Sequence, residues 1–538
     1  MRSPEWTASD PDRGHYHAGR ALPHRQMRRK LPLGIQTFRE IREDGCYYVD
    51  KTLYAKRLVG EGKHYLLSRP RRFGKSLFLD TLKELFEGNE PLFRGLAIHD
   101  GWDWSVRHPV IRLDFGGGNY REPGFLRARI GEQLAAAERR TGASSRNETA
   151  GGRLASLLET LHADSGQRAV VLVDEYDKPI LDALDDPEQA RTNRDFLRGF
   201  YGTVKSADAH VRFSFFTGVS KFTRVSLFSD LNNLTDITLH SRYGNICGYT
   251  ESDLDEVFAP ELEGLDRARI RDWYNGYSWR GPERVYNPYG ILLLFDTRAF
   301  QPHWFGTATP RFLIDVLRRR GVLSPDLAGM TGTNELLSAF DVDEMEPEAL
   351  LFQTGYLTIV GEEDSEEGSV YRLGYPNREV RQGLNNNLLR AMTPARVGTP
   401  GSRLRGMLRE NDFRGLEGFF RAFFDAIPYE WHTKNEIARY EGYYAAVCYS
   451  HLVAAGLDVV VEESSSRGRA DLAVRFAGQV FLFEIKAVER EPTGTALAQL
   501  RERDYAAKYR SSGEPIHLIG IEFSRATRNV AAFEAAAA

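Results

Sequence analysis

The sequence predicts an α/β protein organised around a parallel sheet, with further units behind it, and three observations carry that expectation. From Leu31 to about Asn245, short apolar runs alternate with amphipathic stretches of helical period, the pattern of strands joined by crossover helices. One apolar run, Tyr65-Leu-Leu-Ser68, ends in a basic turn that delivers Gly74-Lys-Ser76 to the start of a helix. Another, Ala169-Val-Val-Leu-Val-Asp174, ends on two adjacent carboxylates, Asp174 and Glu175. A strand, a turn and a helix N-terminus can surround an anion with backbone N–H groups, and a second strand tipped with acids can hold a cation beside it.

Taken in order, residues 1–30 are rich in Arg, His and Pro and have no apolar periodicity, so they read as a disordered basic extension, with Met27 as an alternative start. Tyr65–Ser68 is the first buried strand, and Lys75–Phe86 is a helix with Leu77, Phe78, Leu82 and Leu85 on one stripe. Val110–Phe115, Ala169–Asp174 and Val211–Phe216 are three more strands, and Gly116-Gly-Gly118 is a flexible loop after the first of these. Residues 31–245 form the first domain. Residues 246–400 are mainly helical, with Thr250 as an N-cap before acidic first-turn residues. An acidic hairpin tip over Glu362–Gly368 joins Tyr356–Val360 to Val370–Leu373, so this stretch reads as a helical, winged-helix-like domain. A Pro/Gly-rich boundary near 393–402 leads to a third unit, 401–538, in the order helix, helix, strand, strand, helix, strand, with a frayed run of alanines at its end.

Composition narrows the function classes. A chain of 538 residues with 42% hydrophobic and 27% charged residues is globular and multidomain. Cys46, Cys247 and Cys448 lie too far apart for a disulfide framework or zinc pairing, which points to a reducing cytoplasm. No apolar run is long enough to span a bilayer, so no membrane partner is expected. A net charge of −4 leaves any nucleic-acid contact to local patches.

The first candidate site is a phosphate-binding loop made of Arg69, Pro70, Arg71, Arg72, Phe73, Gly74, Lys75 and Ser76. Lys75 would reach the outer phosphates of ATP and the Ser76 hydroxyl would ligate Mg²⁺. Standard spacing asks for glycine where Arg69 stands. Pro70 fixes one φ angle, and Arg71 and Arg72 add positive charge. Asp174 would hold Mg²⁺ directly or through water, and Glu175 would polarise the attacking water. At the next strand end, Thr217 or Ser220 could sense the γ-phosphate, and Lys221 or Arg224 could stabilise transferred charge.

The second candidate lies in the strand Phe481-Leu-Phe-Glu-Ile-Lys-Ala487. Period two puts Glu484 and Lys486 on one face and Phe483 and Ile485 on the other. A hairpin through Ala477-Gly478 would bring Asp471 beside Glu484, and such paired acids can hold Mg²⁺ against a phosphodiester while Lys486 orients a water.

Tyr48-Val-Asp-Lys-Thr52, Arg69–Ser76, Asp174-Glu-Tyr-Asp177, Thr217-Gly-Val-Ser-Lys-Phe222 and Leu231-Asn-Asn-Leu234 together resemble the bacterial AAA-ATPase-like family, from about Leu31 through most of the chain. That resemblance implies a P-loop ATPase fold and a C-terminal PD-(D/E)XK, restriction-endonuclease-like domain. It makes Arg69 the family's own form of the loop. It also implies that Glu441 is the acid of the first helix and a further metal ligand, and that Gln499 joins Asp471, Glu484 and Lys486 in the catalytic set. Ala470 replaces the motif's proline and is not a ligand. The implied activity is ATP binding and hydrolysis coupled to Mg²⁺-dependent action on nucleic acid, DNA first, in a chain that can form a homo-oligomer. The alternative is a nucleotide switch whose nuclease-like domain only binds.

Overall fold

The apolar runs of the first half become one five-stranded parallel sheet: β1 (His64–Ser68), β2 (Val110–Asp114), β3 (Ala169–Asp174), β4 (Val211–Gly218) and β5 (Thr235–Asp236), in the order β2-β3-β4-β1-β5. This is a computed structural model that describes residues 28–538 apart from 144, 146, 222–226, 305–312, 314–316, 318–326, 328, 338–345, 366–367, 393–399, 428–440 and 466–467. Every residue of β1 and β3 is buried, which is why these strands read as continuous apolar runs and not as alternation. Helix α1 (Thr52–Glu61) leads into β1, and the crossovers include α2 (Lys75–Phe86), α3 (Phe125–Thr141), α4 (Ala150–Ser165) and α5 (Pro187–Ser206). Parallel register aligns the strands' carboxyl ends at one edge, with Asp114 beside Asp174 and Leu67 beside Thr217. Loops from such an edge form the crevice in which open α/β sheets bind ligands.

The central segment contains α6 (Glu251–Val257), α7 (Arg267–Tyr274), α8 (Pro288–Thr297), α9 (Pro347–Thr354) and α10 (Arg378–Met392). Thr250 caps α6 in a reciprocal box: Asp253 N–H donates to Thr250 Oγ1 (3.1 Å) and Thr250 N–H to Asp253 Oδ2 (2.8 Å). The expected two-stranded wing is three-stranded, because β6 (Thr331–Thr333) pairs with β8 (Gly368–Gly374) on the side away from β7 (Thr358–Ser365). Glu362 to Asp364, expected in the hairpin tip, stay paired in β7. One apolar core runs from Phe38 to Leu388, so the parallel sheet and much of the central segment share an interior.

The carboxyl-terminal unit places α11 (Pro400–Glu410), α12 (Phe413–Asp425), α13 (Glu441–Ala454) and α14 (Thr495–Glu502) around a mixed sheet. Its strands are β9 (Asp458–Ser465), β10 (Gly468–Phe476), β11 (Gln479–Val488), β12 (Ile516–Ser524) and β13 (Asn529–Ala537), ordered β13-β12-β11-β10-β9. Two corrections arise here. The sheet has five strands where the sequence suggested three, and the alanine run is not frayed: Ala535, Ala536 and Ala537 pair with Ile519, Leu518 and His517. Backbone hydrogen bonding to an edge strand needs no side chain, which is why alanine concealed it.

Residues 28–30 of the expected basic extension are exposed yet tied to the fold: Lys30 Nζ lies 2.6 Å from Asp44 Oδ2, and Arg28 Nη2 donates to Pro260 O (3.4 Å). Met27 and Arg224 lie outside the described residues. All three cysteines are buried and unpaired by disulfides. No helix among the described residues is long and apolar enough to cross a membrane.

Candidate functional site

At the carboxyl edge of the parallel sheet, the turn after β1 leads into α2 and walls a cavity of about 450 Å³. Arg71, Arg72, Phe73, Gly74, Lys75 and Ser76 line it, facing Glu175 and Gly116. Its apolar end is formed by Pro32, Ile35, Val49, Ile246 and Leu292, together with Tyr289, whose ring carries the Arg72 guanidinium 4.8 Å from its centroid. The volume is within the usual range for small-ligand sites. Lys75 Nζ donates to the carbonyls of Arg69 (2.9 Å) and Pro70 (3.0 Å). Burial pulls its pKa below the usual lysine value, against the pull of Glu175 and Asp174. Glu175 stands in the left-handed region at φ 51° and, chiefly through burial, has its carboxyl raised above the usual range.

Arg69 requires a correction. Neither it nor Pro70 lines the cavity. The Arg69 side chain turns the other way and is 1% exposed. Nη1 donates to Ser68 O (2.8 Å) and Thr238 O (3.0 Å), Nη2 to Tyr243 O (3.1 Å) and Gly244 O (3.3 Å), and the guanidinium lies 4.4 Å from the Trp279 ring centroid. Phe73 holds the other side of the loop, edge-on to Tyr277 and Trp279. The left-handed positions are Arg72 (φ 69°) and Gly74 (φ 91°), so position 69 has no need of glycine.

Thr217 also lies off the cavity wall: its Oγ1 donates to Asp174 Oδ1 (2.7 Å), and it orients that carboxylate instead of reaching the cavity. Asp174 sits below the wall, 2% exposed, with its Oδ2 3.7 Å from Arg112 Nη2. Arg112 in turn meets Asp80 Oδ1 at 2.7 Å. The sequence reading missed Arg112, and only its being a charge in the middle of an apolar strand could have flagged it. It likewise missed Lys178, on the cavity wall and paired with Asp182; Lys51, for which the sequence allowed a contact near the nucleotide or a helix cap, is also on that wall and paired with Asp253. Lys221 is not available for charge transfer, because it is ion-paired with Asp236. Asp50 caps α1 through Thr52 N–H (2.8 Å) and Thr52 Oγ1 (2.6 Å).

In the carboxyl-terminal sheet, a two-residue turn with Ala477 (φ 53°) and Gly478 (φ 72°) fixes the β10–β11 register. Leu472 pairs with Phe483, which carries Asp471 to Glu484, and Asp471 Oδ2 accepts from Ile485 N–H (2.7 Å). Lys486 Nζ bridges Glu484 Oε1 (2.9 Å) and Glu441 Oε1 (2.8 Å). Burial works against the Lys486 charge, but its two carboxylates more than offset it and raise its pKa. Gln499 on α14 donates to Glu484 Oε1, and its Nε2 is 3.4 Å from the Tyr505 hydroxyl. All five residues expected at this site therefore meet. Burial, reinforced by Asp471, raises Glu484 to about 7. Its Oε2 is buried with no hydrogen-bond partner, an oxygen suited to a hard cation. Even so, no cluster of three Asp, Glu, His or Cys side chains forms a ready-made metal cage among the described residues.

A short path leads from the P-loop to the carboxyl-terminal unit. Trp304 Nε1 donates to Arg71 O (3.2 Å), and Trp304 N–H donates to Glu379 Oε1 (2.7 Å) on α10. From the same helix, Arg378 donates to Gly456 O and Arg381 to Val459 O, at the start of β9.

Comparison with known proteins agrees with this two-part layout. Residues 32–228 match the family model described as predicted AAA-ATPase, and residues 439–533 match the PD-(D/E)XK nuclease superfamily. A protein of Azotobacter chroococcum, described as an uncharacterized protein in the vnfD 5′ region, is 56% identical over 509 residues, covering 94% of this chain and 98% of its own length. The chain belongs to the bacterial family that joins an AAA-ATPase-like domain to a carboxyl-terminal PD-(D/E)XK nuclease-superfamily domain.

Proposed function

We propose that this protein is an ATP-dependent, Mg²⁺-requiring nuclease acting on DNA in the cytoplasm. The observation that carries the nucleotide half is a single cavity walled by Lys75, Ser76 and Glu175, with an apolar end for a base. Lys75 would leave its two carbonyls for the β- and γ-phosphates, and the backbone N–H groups opening α2 would hold the phosphate oxygens. Ser76, with Asp174 behind it, would hold Mg²⁺, which supplies positive charge against the phosphates. Glu175, made more basic by burial although Lys75 pulls the other way, would take the proton of the attacking water.

The nuclease half rests on the unpartnered Glu484 Oε2 beside Asp471. These two residues, with Glu441 if Lys486 releases it, would hold the second Mg²⁺. Lys486 would orient a water toward the phosphorus and Gln499 would fix Glu484. The 246–400 segment, read as a winged-helix-like unit, would transmit nucleotide state through Trp304 and α10.

A second reading is favoured by the way Lys486 closes over both Glu441 and Glu484: a nucleotide switch whose carboxyl-terminal domain binds nucleic acid without cutting it. The test is incubation with plasmid and with RNA, with Mg²⁺, with and without ATP. Asp471→Ala and Lys486→Ala should abolish cleavage, Lys75→Ala should abolish ATP binding, and Glu175→Gln should bind ATP without hydrolysing it. Cleavage that survives both carboxyl-terminal substitutions would refute the nuclease assignment.

A further inference from the structure

A second cavity, of about 250 Å³, opens where α7, the 300–302 segment, α10, α11 and the Gly456 turn meet. Arg269, Arg378 and Arg405 face it, and no acidic residue lines it. Arg378 is engaged, bonded to Gly456 O and 3.6 Å from Asp272. Arg269 lies 4.1 Å from the Phe300 ring centroid, and neither it nor Arg405 is ion-paired to a carboxylate among the described residues. Gln382 spends its Nε2 on Ala454 O (3.2 Å), which leaves Oε1 buried without a partner in the same wall. Three guanidiniums around so small a volume repel one another unless an anion answers them. Planar donors suit phosphate oxygens, and the spare acceptor suits a ligand O–H or N–H.

We infer that this cavity is a phosphate site for a nucleotide unit, built jointly by the central and carboxyl-terminal parts of the chain and separate from the P-loop. A nucleic-acid backbone is the favoured source, an assignment that rests on the proposed nucleic-acid function. Gly456 lies just past the carboxyl end of α13, and Glu441 begins that helix of 14 residues. The site therefore stands about 20 Å along the helix from Lys486's partner, roughly six base pairs of duplex. At that spacing it would grip the backbone well outside the cleavage centre and set where along the strand the centre falls.

The test measures binding, so it does not depend on whether the centre cuts. In full-length Asp471→Ala protein, the exposed pair Arg269→Glu/Arg405→Glu should weaken binding to a duplex of about 20 base pairs by about tenfold or more. It should also lower the salt-dependence slope by about two. Arg269→Lys/Arg405→Lys should keep most of that slope. A parallel arm titrates inorganic pyrophosphate into Lys75→Ala protein. Loss of pyrophosphate binding in the glutamate pair, with duplex binding unchanged, would assign the cavity to a free phosphate ligand. Unchanged affinity for both ligands, with an unchanged salt slope and a wild-type unfolding midpoint, would overturn the inference. If duplex binding depends on these arginines and the chain with Asp471 intact still cleaves nothing, the nuclease reading alone would sink.

Discussion

Replacing Arg69 with glycine would make the loop look more like a standard phosphate-binding sequence, and the structure predicts that this change is damaging. The guanidinium satisfies the carbonyls of Ser68, Thr238, Tyr243 and Gly244 at 2.8 to 3.3 Å. Three of these come from the 238–244 segment, far from the loop in sequence. Leaving three buried carbonyls without donors costs about 1 kcal/mol each at the lower end of the usual range. Loss of the stacked contact with Trp279 adds about 1 kcal/mol, and the freer unfolded glycine about 1 kcal/mol more. Against this stands relief of a buried charge, whose pKa burial has pulled down to about 10. That relief returns about 3 kcal/mol, leaving a net loss of about 2 kcal/mol. Such a loss is a large fraction of an ordinary domain's stability. Urea unfolding of Arg69→Gly followed by near-ultraviolet circular dichroism should show a clearly lower midpoint, with weaker ATP binding by titration. Arg69→Lys should fall between, since an ammonium cannot span four carbonyls and stack. A glycine variant with the wild-type midpoint, or with tighter ATP binding, would refute the anchoring role.

Three further outcomes follow from the same geometry. Burial lifts the Glu379 carboxyl from 4.5 to about 8; the folded chain then holds a proton that the unfolded chain lacks between those values. Stability should fall as pH rises from about 5 to about 8, by at most about 1.4 kcal/mol per unit, and Glu379→Gln should flatten that slope in unfolding measurements. Thr217→Val removes the 2.7 Å bond to Asp174 with little change of shape; it should cost about 1 kcal/mol of stability and slow ATP hydrolysis more than it weakens binding, as phosphate-release assays can check. Trp304→Phe keeps an aromatic ring but deletes the donor to Arg71 O; the difference in DNA affinity with and without ATP should shrink while ATP affinity changes less than about threefold.

What the sequence made legible was local. Lys75–Phe86 is a helix at the bounds its apolar stripe implies, and the strands before and after it fall within a residue or two of their apolar runs. Asp471 and Glu484 could be paired on paper because a two-residue turn and a period of two leave little choice of register. What stayed hidden depends on distant partners. Arg69 reads as a phosphate ligand from its neighbours alone, and only the fold brings Thr238, Tyr243 and Gly244 to it. Arg112 lies between Asp80 and Asp174, from three separate elements, so no spacing rule could connect them. The β13 strand escaped because a run of alanines carries no pattern, although its backbone closes one edge of the sheet.

The path from the P-loop to the carboxyl-terminal unit limits how strongly the two can influence each other. It leaves the P-loop through one carbonyl, Arg71 O, crosses one indole to Glu379, and passes within the first turn of α10 to two arginines on the carbonyls of Gly456 and Val459. A single helical turn moves as a unit, so discrimination must arise at the few hydrogen bonds on either side of it. Two or three such bonds can distinguish two states by about 1 to 3 kcal/mol, a factor of roughly 5 to 150 in affinity. By linkage the effect is reciprocal. If ATP raises DNA affinity by that factor, then DNA must raise ATP affinity equally, and a protein whose ATP affinity ignores DNA cannot use this path as a binding switch. Its nucleotide could then act only through turnover at Glu175, where rates need not be symmetric.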